Sequence, residues 1–302
     1  MKLFRLIGYL FFFAISFVFF LYWMFPYDAL RGRIAGVLEQ QLGSNVDVEI
    51  LSLKPSAFSG MKAKRLSINM REKGEILPLL NIDEAIAKIS FFSLLFGTPR
   101  LDFSLQCGKG MIRGTGRRSG VTIELDIDVE DFDLASLQIF SSRYGLHLTS
   151  RIDGSFRLTL DQQNFLRSNG KADLVFRALS LQPSEIEVAG TIMTLPEIVF
   201  SRGKNARLSA EMIKGALSIE TLKFEGGDIG LDLSGKIFLS QSISNLRLNL
   251  NGSFRDSPKL TETFPVFFLI EKQKTADGTY PLSITGPVTK PSVKIGSFSL
   301  PI

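Results

Sequence analysis

The sequence predicts a mostly β protein, with one extended antiparallel sheet carried behind a single N-terminal transmembrane helix and a few short helices beside it. Three observations predict this. Residues Leu6 to Tyr27 form a run of 22 without a charge. From Asn45 onward, apolar residues recur at every second position, the period of a half-buried strand. Glycine-rich turns separate these runs, as in successive hairpins.

The charge-free run includes LFFFAISFVFFLYWMF. About 20 such residues, at 1.5 Å each, span the roughly 30 Å hydrocarbon core of a bilayer, and a helix satisfies its own backbone there. Lys2 and Arg5 precede the run, and Tyr9, Tyr22, Trp23 and Tyr27 fall near its ends, where amphipathic rings meet the headgroups. A cleaved signal peptide competes with this reading. Its apolar core is about 7–15 residues long and ends in a small-x-small site; MFPYDALRG offers none. A buried soluble helix is a third reading. The expectation is a retained anchor over 1–27 with a short cytoplasmic tail, then a β-rich periplasmic domain over 28–302. Lys2 and Arg5 favour that orientation, although Arg31 and Arg33 dilute the bias.

The net charge of +5 is too small and too scattered to argue for nucleic acid. One cysteine, Cys107, excludes an internal disulfide framework and any cysteine-based metal site. It reads as a small core residue. The one histidine, His147, sits between Leu146 and Leu148 and reads as an ordinary strand residue. Most nucleophile–base and metal constellations therefore cannot be assembled. No catalytic, cofactor-binding or metal-ligating residue is assigned.

Taken in order, Asp28 to Leu42 reads as a short amphipathic helix. Leu30, Ile34, Val37, Leu38 and Leu42 share a face, Asp28 is a plausible N-cap and Gly43 a stop. It either lies on the membrane surface or plugs one end of the β domain, and the plug is the simpler reading. Strands follow at Val46–Ile50, Leu66–Met70, Ala85–Ile89 and Leu101–Leu105. Gly108, Gly110, Gly114, Gly116 and Gly120 then punctuate a basic hairpin with Arg113, Arg117 and Arg118. No Gly-Lys-Ser/Thr follows, so these glycines read as turns and close backbone approaches rather than a phosphate loop.

Val121, Ile123, Leu125, Ile127 and Val129 form the cleanest strand, with Glu124, Asp126, Asp128 and Glu130 opposite, continuing into Asp131 and Asp133. Carboxylates strung along one strand face do not converge as a Ca²⁺ loop requires, so they read as a solvent face. Leu134–Tyr144 is a short helix or loop. Strand patterns return through Ile152–Leu160, Leu174–Phe176, Ile186–Val188, Ile198–Phe200, Leu208–Met212, Leu217–Ile219, Ile229–Leu239 and Leu246–Leu250. Lys259–Lys272 could be a helix broken at Pro265. Tyr280–Ile284 and Val293–Ile295 close the series. No fixed repeat length appears.

Several stretches carry a resemblance. The anchor followed by FPYDALRGRIAGVLEQQLGSNVDVEILSL resembles the start of the type II secretion system protein N family, and SFFSLLFG and CGKGMIRGTG resemble its middle. The ending DGTYPLSITGPVTKPSVKI resembles that family and the C-terminal part of AsmA-like proteins. The resemblance implies an inner-membrane protein with a periplasmic β-rich domain, associated with export of folded proteins across the outer membrane. It transfers no catalytic or ligand residues.

An accessory subunit of a type II secretion system, acting through other secretion-system subunits, is therefore the leading expectation. The alternative is an AsmA-like envelope protein that binds or transfers phospholipid. An enzyme is not expected. Eighteen Phe residues lie beyond the anchor, starting at Phe58. They pack into a closed core or line an open, lipid-accommodating groove. A closed core is the default, because large exposed apolar surfaces are unusual in soluble domains.

Overall fold

A computed structural model describes residues 27–42, 45–56, 59–72, 74–90, 93–94, 96–188, 191–214, 216–238, 247–263, 270–287 and 291–300, with scattered positions before 27. One antiparallel sheet of 16 strands dominates it. Strands follow one another across the sheet in chain order from β1 (Val46–Ser56) to β8 (Asn169–Leu181), and again from β12 (Ser201–Ile213) to β18 (Phe298–Leu300). Between these runs, β9 (Ser184–Val188) and β10 (Thr191–Leu195) form a separate hairpin, and β11 (Ile198–Val199) returns to β8. Local pairing of this kind follows from the alternating pattern and the short turns, since each run meets its sequence neighbour first.

A meander gives the sheet two rims. The lower rim holds the turns after β1, β3 (Glu75–Ile89), β5 (Gly110–Ser119), β7 (Leu148–Asp161), β12, β14 (Ile229–Phe238) and β16 (Tyr280–Pro287). The upper rim holds the turn Cys107–Gly110 after β4 (Arg100–Cys107) and the longer excursions. These are the 3₁₀ turn Leu134–Ser136 with α2 (Ile139–Tyr144), the β9–β10 hairpin, and the stretch 257–279 with α3 (Pro258–Thr263). The helix α1 (Tyr27–Leu42) packs beside β1.

A line of irregularities crosses the upper half of the sheet. In β2 (Gly60–Glu72) Ala63 and Leu66 are both buried, three residues apart, with Arg65 between them at φ 49°. Their partners in β1, Leu53 and Ile50, are buried at the same spacing. In β6 (Thr122–Asp133) Asp131 at φ 50° separates buried Val129 and Phe132. In β8 Ala178 at φ 51° precedes buried Leu179. Asp131 and Ala178 each mark a register shift against β7, a β-bulge that bends the strand and raises its twist, whereas β1, β2 and β3 keep their register through Arg65. In β6 and β8 the extra residue changes the inward parity against an unbroken β7, so the apolar residues of all three strands stay on one face. Charge pins the line from outside. Asp153 accepts from the backbone N–H of Asp131 at 2.9 Å and from the Arg177 guanidinium at 2.8 Å, and Arg177 also reaches Asp131 at 3.1 Å.

Both ends of the apolar face are covered. At one end Leu30, Ile34, Ala35 and Leu38 of α1 pack on the cluster formed by Val48, Ile50 and Leu53. The helix also occupies the open edge of β1: Arg31 donates to the Leu51 carbonyl at 2.8 Å, and Glu39 accepts from the Val48 N–H at 3.0 Å. Pro55 lies further along the same edge strand. Such devices stop an edge from recruiting another strand. Toward the other end the excursion 257–279 seals the upper rim. Tyr280 is fully buried and stacks on Phe254 at 4.9 Å, and its hydroxyl donates to Glu271 at 3.1 Å. Lys274 lies 5.2 Å over the Tyr280 ring and 3.1 Å from Asp256, whose carboxylate also accepts from the Thr261 hydroxyl.

Several expectations change in detail. The helix starts at Tyr27, so Asp28 is inside its first turn rather than at its cap. Val37 and Leu42 are 58% and 49% exposed. The contact stripe is instead rotated toward Ala35, because Arg31 and Glu39 must both face β1. Gly43 lies outside the described residues. The stretch from Gly110 to Ser119 is a continuous strand, not a hairpin. Gly108 and Gly120, at φ 59° and 60°, form the turns flanking it. Gly114 is a close approach: a Cβ there would strike the Phe103 ring and the Asp126 carbonyl. Only Pro258–Thr263 and a 3₁₀ turn at Glu271–Gln273 are helical within 259–272, and 264–269 lie outside the described residues. Among the described residues no helix is long and apolar enough to cross a membrane. Most of the Leu6–Tyr27 anchor lies outside them.

Two predictions follow from these devices. Ala178→Gly relieves an L-residue held at positive φ and is expected to raise stability by up to about 1 kcal/mol, whereas Ala178→Val, β-branched in that region, lowers it by about 1–2 kcal/mol. Urea midpoints of the two variants measure the contrast, and equal midpoints would contradict the bulge. Burial pushes the Asp256 carboxyl up, but the Thr261 hydroxyl and Lys274 outweigh it and hold the group below its usual value. Its contribution is present above the unfolded-state value of about 3.9 and is lost as pH falls through the lower folded value. Asp256→Asn should lower the melting temperature at pH 7 and flatten its fall below pH 4; an unchanged acid profile would show that Asp256 does not pin the cover.

Candidate ligand-binding face

Along β4, β6 and β7 the inward residues pass from buried at the upper rim to half-exposed or open at the lower one, whereas Ala210, Met212, Ile219 and Leu250, further along the sheet, are buried in its lower half. In β4, Cys107 is 1% exposed, Leu105 and Phe103 are half-buried, and Leu101 is 40% exposed. In β6, Phe132 and Val129 are buried, Ile127, Leu125 and Ile123 half-buried, and Val121, just before the strand, is 39% exposed. Phe156, Leu158 and Leu160 of β7 repeat the half-buried condition. The excursions explain the gradient. They lie on the upper rim and supply partners there, while the lower rim has mostly short turns.

The lower inward face of β4 to β7 is an apolar surface left half-exposed. That is a surface chemically suited to hydrocarbon. Near the upper rim, a shallow cleft beside the turn between β13 (Ala216–Gly226) and β14 is lined by charged groups, Asp228, Arg255 and Asp256 among them.

The outward face of β6 carries the acidic stripe, and neighbouring strands answer it. Arg113 of β5 meets Glu130 at 2.9 Å, Arg117 lies 3.8 Å from Glu124, and Arg157 of β7 lies 3.5 Å from Asp126. These are exposed cross-strand pairs, each worth about 0–1 kcal/mol. They make the stripe half of a charge ladder. Asp131 and Asp133 continue it only through the bulge, bound to Arg151 and Arg177.

The remaining chemical residues are dispersed. The Cys107 thiol is pushed up to about 11 by burial, with Asp83 adding to the effect, so little thiolate forms at neutral pH. His147 is exposed, with Nδ1 3.4 Å from the Ser184 hydroxyl. Among the described residues no group of three His, Cys, Asp or Glu side chains could hold a metal ion. The structure brings Cys107 into the core, while His147 stands at the start of β7 on the upper rim. No protein-family model, curated protein or solved structure matches the chain.

The burial gradient makes a quantitative prediction. Phe132→Ala, in the closed upper part, should cost about 3–5 kcal/mol, while Leu125→Ala, seven residues away on the same strand, should cost about 1 kcal/mol because little apolar surface is lost to water there. Chemical denaturation of both variants tests this. Equal costs would mean that the lower face is as closed as the upper.

Proposed function

We propose that this chain is a membrane-tethered lipid-binding protein of the bacterial envelope, holding the acyl chains of a phospholipid against the lower half of its apolar sheet face. The observation that carries this reading is the half-exposed condition of Phe103, Leu125, Leu158 and their neighbours in an otherwise regular sheet. Burying hydrocarbon on such a surface yields about 0.8 kcal/mol per methylene. Two acyl chains can therefore bind without any specific polar contact, leaving the headgroup at the wet rim. The AsmA-like resemblance of the C-terminal stretch supports the same reading.

The tether in this proposal is the apolar run Leu6–Tyr27, with Lys2 and Arg5 on the cytoplasmic side of the inner membrane and the sheet in the periplasm. The chain acts by binding rather than catalysis and takes no cofactor or nucleic acid.

A type II secretion accessory is the second reading. The order of resembling segments along the chain favours it, and one structural asymmetry suits it. The β1 edge is blocked by α1, whereas the opposite edge is the three-residue strand β18, which no described helix crosses. Another secretion subunit could add there by strand pairing.

Photo-crosslinking side chains placed at Leu125 and at Asp126, adjacent in sequence but on opposite faces, test the leading reading in intact membranes. Crosslinked phospholipid, identified by mass spectrometry, is expected at 125 and not at 126. No lipid at 125, or equal yields at both, would overturn it. A protein adduct at β18 with no lipid at 125 would put the secretion reading ahead.

A further inference from the structure

The lower rim differs from the upper rim in composition. Phe96 is 78% exposed, Leu166 65%, Leu94 51%, Ile213 48% and Phe238 47%, and all lie in or beside lower-rim connections. The seven lower connections together contain one acidic residue, Asp161, and its carboxylate is engaged with the backbone N–H groups of Gln163 and Asn164 at 2.9 and 2.8 Å. The same rim carries Arg118, Arg167, Lys214, Lys236 and Arg247, all exposed, and among the described residues none of these forms an ion pair. The upper rim is mixed: Glu185, Glu197 and Asp277 stand among Lys109, Lys204 and Lys272. Exposed apolar side chains alternating with unpaired cations are what an anionic bilayer surface takes up.

A second observation fixes the side. Glu39, late in α1, contacts Val48, and Arg31, early in α1, contacts Leu51. The helix therefore runs antiparallel to β1, and its start at Tyr27 is at the lower rim. The apolar run Leu6–Pro26 joins the sheet on the same side as the exposed apolar and basic residues.

We infer that the lower rim is a membrane-contact surface for anionic phospholipid. With residues 6–26 in the bilayer, the sheet lies along the leaflet it emerges from. Phe96, Leu166 and Phe238 enter the headgroup–acyl boundary, and Arg118, Lys214 and Arg247 lie at the phosphates. The open half of the apolar face then opens directly onto the leaflet, giving an acyl chain a dry path from bilayer to sheet. The inference rests on the tethered reading above, but not on lipid being held by the sheet. Phe238 ends the eleventh strand in sheet order, ten spacings of about 4.8 Å from β1, so contact there cannot come from the tether alone.

Trp23 is the one tryptophan, which gives the experiment two separate readouts. The full chain is reconstituted in vesicles carrying brominated acyl chains, either phosphatidylcholine alone or with 30% phosphatidylglycerol (about the anionic content chosen to set a surface potential). Quenching of Trp23 reports the tether. In a Trp23→Phe background, Phe96→Trp, Phe238→Trp and, on the upper rim, Ile76→Trp report the sheet. Strong quenching is expected at 96 and 238 with phosphatidylglycerol and none at 76. It should fall at least about two-fold in phosphatidylcholine alone, in 0.5 M salt, and on combining Arg118→Glu, Lys214→Glu and Arg247→Glu, since screening at that salt shortens electrostatic reach to a few ångström. Quenched Trp23 with positions 96 and 238 no more quenched than 76 would overturn the inference and leave the tether standing. Loss at Trp23 as well would remove both. Quenching at 96 and 238 that ignores lipid charge and salt would overturn the anionic partner. Self-association through the rim without quenching would replace the membrane by a second copy of the chain.

Discussion

The constraint on which the structure depends is shared parity. In a sheet of this breadth every strand must present the same alternate residues inward, and a slip of one residue would turn a strand's apolar set to water. The bulges at Asp131 and Ala178 each insert such a slip against β7. They are tolerable because the extra residue is left unpaired and the bulged strand returns its apolar set to the face that β7 presents. Asp153 and Arg177 fasten the line of bulges from the outside, where their charges keep access to water. The bend it creates gathers Ile82, Cys107, Phe132 and Leu179 into the main buried cluster.

From this bend follows the division between rims. The segments 134–147, 191–200, 257–263 and 270–279 all lie at the upper strand ends, and each packs back over the buried residues beside it. Below the line the inward residues of β4 to β7 stay half-exposed, while Ala210, Ile219 and Leu250 close a smaller cluster further along the sheet. Leu105 and Leu101 differ in neighbours, not in hydrophobicity. A face that is core at one rim and open at the other offers a closed floor and an accessible mouth, the arrangement on which the proposals of lipid binding and of rim-to-membrane contact both draw.

Much of the sheet was legible in order. The alternation through Val46–Ile50, Ile123–Val129, Ile152–Leu160 and Ile229–Ile237 corresponds to β1, β6, β7 and β14, because a two-residue period is a direct imprint of one-sided burial. The solvent face of Glu124, Asp126 and Asp128 was legible for the same reason, although their arginine partners were not, since those depend on register across strands. The positive-φ positions left no reliable mark: Arg65, Asp131 and Ala178 are not residues that favour positive φ as glycine does. β18 was too short to show a period, and the β9–β10 hairpin was only a weak alternation. The rotated face of α1 was also hidden. Its periodicity admits several faces, and the polar demands of the β1 edge select one.

By itself the sequence determined the mostly β class, the chain-order succession of hairpins, the apolar run before Tyr27 and the inert character of Cys107, because each of these is written in local spacing or composition. Tertiary structure alone decided how far the apolar face is covered. Burial of an inward residue depends on which distant segment returns over it, and among the described residues the longer returns come from the upper rim. It also decided that Phe96, Leu166, Lys214 and Phe238, up to 142 residues apart in the chain, share a single edge. Every second turn of a meander comes back to the same rim, and only the pairing of strands in order reveals which turns those are.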